Sequence, residues 1–119
     1  MQAATKVSQR TATAASGSNV VILSFSGDIG STSKDSILEA YHGLGVGVDI
    51  VLLDFSAVDY INSSGIAIII QVLLESRAAG KRRIGVFGLT PHFSKVFNMV
   101  GVSKYATISP DEATALAAF

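Results

Sequence analysis

Cysteine is absent from these 119 residues, which excludes disulfides, thiol chemistry and the common structural zinc sites together. His42 and His92 are the only other soft ligands, and neither metal chemistry nor a cofactor is expected. A surplus of charge is missing too: nine Lys and Arg residues balance nine Asp and Glu. No net field gathers nucleic acid or anionic lipid. Long hydrophobic runs are lacking. The longest, Gly65 to Ile70, stops at Gln71, far short of the roughly 20 apolar residues that a membrane span needs. No basic N-terminal region leads into an apolar run, so no signal peptide is expected and the cytoplasm is the natural compartment.

What the chain does have is apolar content, 49%, in the length of one domain. That is enough to bury a single core, and a folded state is expected rather than disorder. Residues 1–5 carry no periodic pattern and read as a frayed tail. Lys6 to Ala14 alternates weakly, as an edge strand does, and the Ser16–Asn19 cluster turns the chain into a strand over Val20 to Phe25. Gly27 is read as the end of that strand. Ser31, Thr32 and Ser33 offer N-caps, with Thr32 and Asp35 spaced as a capping box. Ile37, Ala40, Tyr41 and Leu44 then fall at helical spacing until the glycines at 43, 45 and 47 stop the helix.

The run from Asp49 to Phe55 has the continuous apolar character of a central strand covered on both faces. A loop, Ser56 to Gly65, follows. The next helix starts near Ser64 and is stopped by Gly80; its first half is apolar nearly all round, which implies burial on more than one side. Arg83 to Gly88 reads as a short strand. Thr90 caps a helix with Pro91 at its first position and Phe93, Val96, Phe97 and Val100 as its stripe, closed by Gly101. Lys104 to Ile108 is the last strand. Ser109, Pro110, Asp111 and Glu112 read as cap, first-turn proline and capping-box acid of a final helix. The order β-β-α-β-α-β-α-β-α implies one α/β domain with a mostly parallel sheet and an antiparallel first strand.

In open α/β sheets, sites gather where strands end and helices begin. That places Ser63 and Ser64 at the N-terminus of the most apolar helix, where unpaired N–H groups and the helix dipole tolerate a phosphate. The local gain is about 0.3–1 kcal/mol at an exposed site. Phosphorylation there adds a charge of roughly −1.5 to −2, leaving the fold intact while repelling a partner. The plainer reading is that either serine is an ordinary N-cap.

From Val48 to about Ile108 the chain resembles a STAS domain, the fold of bacterial anti-sigma-factor antagonists and of domains attached to sulfate transporters. The resemblance rests on an apolar strand ending in Asp54, on Ser63-Ser64-Gly65 opening a long helix, on Gly80, and on Pro91, Phe97 and Gly101 in the following helix. It implies a STAS fold with a mixed, mostly parallel four- to five-stranded sheet and about four helices over 1–119. It also implies a docking protein rather than an enzyme: an anti-sigma-factor antagonist acting by partner switching in transcription regulation. Ser64, with Ser63 as the alternative, is the implied phosphate acceptor. An anti-sigma factor that is also a serine kinase would modify it, and a metal-dependent serine phosphatase would reverse this. Asp28, Ser31, Asn62, Ser63, Ser64 and Ile66 would face the partner, and the chain would be a monomer or weak dimer. Two positions depart from the family pattern: Asn62 stands for the Asp before the serines, and Gly30 for an acidic residue in the turn after Asp28. Both remove negative charge beside the acceptor and leave open a non-phosphorylated scaffold or transporter-associated subunit.

Other motifs carry less. Gly43 to Gly47 precedes a strand rather than a helix, so it is a helix stop and not a dinucleotide loop. The Gly27–Ser33 turn could hold an anion, but solvated capping is the simpler reading. A hydrolase would need a Gly-x-Ser-x-Gly elbow and a histidine near Ser64, and neither is present. His92 reads as a first-turn surface residue and Lys81-Arg82-Arg83 as a solvated turn. Ile66 and Met99 are apolar residues that could anchor a partner, although core positions are commoner for both.

Overall fold

The computed structural model describes residues 4–45, 47–80 and 82–119. Five strands form one sheet in sequential order: β1 (Lys6–Thr13), β2 (Asn19–Ile29), β3 (Ile50–Ile61), β4 (Arg83–Phe87) and β5 (Ala106–Ser109). β1 pairs antiparallel with β2; the remaining pairs are parallel. Three α-helices connect the parallel strands, α1 (Lys34–His42), α2 (Ser63–Ala79) and α3 (Pro91–Met99), and a fourth, α4 (Glu112–Ala117), follows β5. The α/β class, the mixed sheet and the helix count agree with the sequence reading.

Alternation along the strands separates two cores. Val21, Leu23, Val51, Leu53 and Val86 face α1, α2 and α3. Val20, Ile22, Ile50 and Leu52 face the other way, where Ala115 of α4 covers them. This explains why β3 reads as a continuous apolar run: both of its faces are buried. α2 presents one buried stripe, Gly65, Ile68, Ile69, Val72, Leu73 and Ser76, rather than burial all round. Ile66 and Ile70 sit half-buried at the core margin, and Leu74 is 47% exposed.

Several boundaries differ from expectation. Gly27 does not end β2; at φ +83° it passes the chain through an irregularity, and the strand continues to Ile29. β3 likewise runs six residues beyond Phe55, through most of the expected loop, to Ile61. Two one-residue shifts in the β2–β3 register accommodate the extension, since Ser24 pairs with Asp54 but Ser26 with Ala57, and Gly27 pairs with Val58 but Asp28 with Tyr60. Asp54 stitches the first shift together. Its carboxylate accepts from Ser24 Oγ (2.9 Å), the Ser56 N–H (2.9 Å) and Ser56 Oγ (2.6 Å).

The Thr32–Asp35 capping box does not form. A 3₁₀ turn, Ser31–Ser33, precedes α1, and the buried Ser33 hydroxyl accepts from the Gly30 N–H at 3.0 Å. Ser109 is not the cap of α4 but the last residue of β5, opposite Phe87. Pro110 disfavours a helical conformation in the residue before it, and Asp111 caps instead, accepting from the Thr114 N–H at 2.8 Å. Of the segment read as a frayed tail, residues 1–3 lie outside the described residues, while the Thr5 hydroxyl donates to the Asp28 carbonyl at 2.6 Å. Val46 of the glycine-rich stop and Lys81 of the basic turn also lie outside them. No described helix is long and apolar enough to cross a membrane.

Candidate functional site

The β2 and β3 extensions bring the end of β2 and the start of α2 together. Asn62, in extended backbone, caps α2 by accepting from the Gly65 N–H at 2.9 Å. Its own N–H donates to the Ile29 carbonyl at 3.1 Å. Asn62 is therefore the cap, and Ser63 and Ser64 are the first two residues of the helix. Gly65 is required by proximity. A Cβ at this position would lie 2.9 Å from the Ile29 carbonyl carbon and Cγ2, and closer still to the carbonyl oxygen. Only glycine lets the helix start this near β2.

The consequence is outward display. With Gly65 against Ile29 and Ile68 in the core, both serines, one and two residues ahead of Gly65, are exposed. Ser64 lines a shallow depression of about 270 Å³ with Ala67, Ile68 and Gln71 from α2 and with Ser31 and Lys34 from the start of α1. The first turn of α2 holds no acidic residue, so a phosphate on Ser64 would meet the helix dipole unopposed. Lys34 is the cation beside it, brought there by the packing of α1 next to the start of α2, a contact that no local sequence signal announces.

The other site residues divide. Ser31, Ser63 and Ser64 are exposed and Asn62 is half-buried as the cap. Asp28 is on the same sheet edge, opposite Tyr60 in register, but is not among the residues lining the depression. Ile66 packs against the core instead of standing free. Met99 is 75% exposed, on the last residue of α3. An apolar group not singled out in the sequence stands near the end of β3: Tyr60, 54% exposed, packs edge-on to Phe93 at 6.0 Å, and His92 also meets Phe93 edge-on at 5.0 Å.

The two departures from the family pattern turn out to be neighbours. A Cβ on Gly30 would lie 2.7 Å from Asn62 Nδ2. A side chain at position 30 would require the residue at 62 to shift its side chain. Among the described residues no three His, Asp or Glu side chains cluster as metal ligands.

A mostly parallel sheet that presents an exposed serine at the mouth of its core helix defines a class of protein, and the class has a name. The chain belongs to the STAS domain family, whose model matches residues 11–115. Among solved structures it is similar to an anti-sigma factor antagonist from Mycobacterium paratuberculosis, with a TM-score of 0.71 and 19% identity over 93% of this chain and 92% of that one. It is also similar to the phosphorylated form of the Bacillus cell fate determinant SpoIIAA, with a TM-score of 0.60 and 17% identity over 92% and 96%. The murine anion transporter Slc26a9 contains a similar region, with a TM-score of 0.67 and 16% identity over 82% of this chain but only 17% of the transporter. At these identities the likeness is one of fold. No curated protein sequence matches the chain.

Proposed function

We propose that this STAS domain is an anti-sigma-factor antagonist switched by phosphorylation of Ser64. In the unmodified state, the surface around Ser31, Asn62, Ser63 and Ser64 docks onto an anti-sigma factor in the cytoplasm and releases the sigma factor. That anti-sigma factor, acting as a serine kinase, transfers the γ-phosphoryl group of ATP to the Ser64 oxygen, with ADP as the leaving group and the hydroxyl proton taken by the kinase, and the dianion expels the partner. A serine phosphatase resets the switch. The observation that carries this reading is the placement of Ser64: exposed, in the first turn of a helix that Asn62 caps and Gly65 seats against β2. A charge added there stands outside the core, near the positive end of the dipole. The exposed Tyr60 ring, on the edge shared with Ser64, supplies an apolar anchor of the kind that concentrates binding energy.

Pull-downs from the source cell with wild type, Ser64→Ala and Ser64→Asp, joined to phosphosite mapping by mass spectrometry, test this. The expected result is phosphate on Ser64 and an anti-sigma factor retained by wild type and Ser64→Ala but not by Ser64→Asp. A second reading, a transporter-associated subunit that is not phosphorylated, draws on Gly30 and Asn62, which leave the acceptor without its usual acidic neighbours. It requires unphosphorylated Ser64 and a membrane permease retained equally by all three forms.

A further inference from the structure

A second concavity lies at the far end of α2 from Ser64; thirteen residues of helix separate Ser64 from Arg77, about 20 Å at 1.5 Å per residue. The cavity, about 800 Å³, opens between the C-terminal half of α2, α3 and the β4–β5 edge. Every charged side chain lining it is a cation: Arg77, Arg82, Arg83 and Lys104. Among the described residues the ion pairs are Arg10–Glu112 and His42–Glu75, so no carboxylate side chain neutralises any of the four. Arg82 is engaged, donating to the carbonyls of Leu44, Gly45 and Val48. Arg77 and Arg83 instead lie over aromatic rings, Tyr105 at 5.1 Å and Phe119 at 5.3 Å. Neither guanidinium is in an ion pair or side-chain hydrogen bond among the described residues, so their N–H groups remain to donate.

The cavity also follows an open sheet edge. β5 pairs with β4 alone, and Ala106, Thr107 and Ile108 of β5 line the cavity. Unpaired backbone donors and acceptors on one strand edge form a template for a further strand. Both aromatic faces are already taken by arginines, so no ring is left for base stacking.

We propose that the β5 edge docks an extended acidic segment of a partner protein, which adds as a strand while its carboxylates meet Arg77, Arg83 and Lys104. Successive side chains of an extended chain point to opposite faces; Arg77 lies over Tyr105 on the α2 face of the sheet and Arg83, level with Ile50 and over Phe119, on the α4 face, so acidic residues at adjacent positions of the added strand reach both. The surface is separate from Ser64 and gives the domain a second contact, independent of the phosphorylation state.

Fluorescence anisotropy of the full chain with a labelled eight-residue peptide in which pairs of Glu alternate with pairs of Thr tests the proposal. Saturable binding is expected, weakened at least about tenfold by the exposed-site double variant Arg77→Glu/Arg83→Glu, as for loss of close charge pairs. The same peptide N-methylated along one backbone edge is expected to lose a comparable factor, and Lys6→Glu, on β1 at the opposite edge of the sheet, to change nothing. Circular dichroism of each variant establishes that it is folded. Absence of saturable binding, equal binding by the N-methylated peptide, or equal binding by a folded double variant would overturn the proposal.

Discussion

Replacing Gly65 by alanine tests how closely α2 must be seated for the site to exist. The added Cβ would stand 2.9 Å from both the carbonyl carbon and Cγ2 of Ile29. Comfortable carbon contacts lie at about 3.5–4.0 Å, so the helix start must retreat by roughly 0.5–1 Å. Ile29 is itself 1% exposed and cannot yield easily. Its carbonyl also accepts the Asn62 N–H, so retreat strains the bond that fixes the cap. Overpacking costs about 1–3 kcal/mol and a weakened hydrogen bond adds about 0.5–1.5 kcal/mol. Alanine's helix propensity returns at most about 1 kcal/mol. The net is a loss of about 1–3 kcal/mol, or a fall in melting temperature of roughly 4–12 °C for a domain of this size. Gly45→Ala is the control, because a Cβ there meets nothing within 4 Å. Thermal and urea unfolding followed by circular dichroism read both. If Gly65→Ala melts within about 2 °C of wild type, a shift smaller than 1 kcal/mol would give, the close approach does not constrain the site and the reasoning fails.

Asn62→Ala is expected to cost about 1 kcal/mol in urea unfolding through loss of the α2 cap, whereas Asn62→Asp keeps an equally good cap and should stay within a few tenths. Arg82→Ala removes a guanidinium that donates to three carbonyls and should cost about 1–3 kcal/mol; Arg82→Lys recovers only part, since an ammonium cannot span the same three acceptors. Accepting the Thr114 N–H holds the Asp111 carboxyl below its ordinary value. Its folded-state pKa is thus depressed, so its contribution is present above the unfolded value, about 3.9, and lost as pH falls through the folded one. The protection factor of the Thr114 amide, relative to its intrinsic exchange rate at each pH, should therefore fall in acid, and Asp111→Asn should abolish that fall.

Periodicity made most of the elements legible. α3 begins at Thr90 as read, with Thr90 Oγ1 accepting from the Phe93 N–H at 3.2 Å, and Gly80 ends α2 in a left-handed conformation. These signals are local, and local chemistry decided them. The misplaced boundaries all depend on a neighbour distant in sequence. Nothing within SAVDYI announces a strand; it becomes one because β2 runs alongside it past Gly27, with Asp54 bonding across the irregularity. Ser109 looks like a cap until β4 claims it for the sheet. The same limit applies at the site. Ser64 could be placed because Asn62–Gly65 is a compact helix start, whereas Lys34 and Tyr60 enter only through packing of α1 and β3. Ile66 is half-buried against the core, and a helical face half-covered in this way shows no distinct sequence signature.

Under the proposed switch, a dianion on Ser64 leaves the domain folded and abolishes docking. Calorimetric titration of the anti-sigma factor retained in the pull-down with protein carrying genetically encoded phosphoserine at position 64, beside the unmodified protein, measures this directly. A melting temperature changed by no more than about 4 °C, the equivalent of 1 kcal/mol, with affinity reduced at least about a hundredfold, or 2.7 kcal/mol, is the expected outcome. Equal affinity of the two forms, or unfolding of the phosphorylated one, would contradict it.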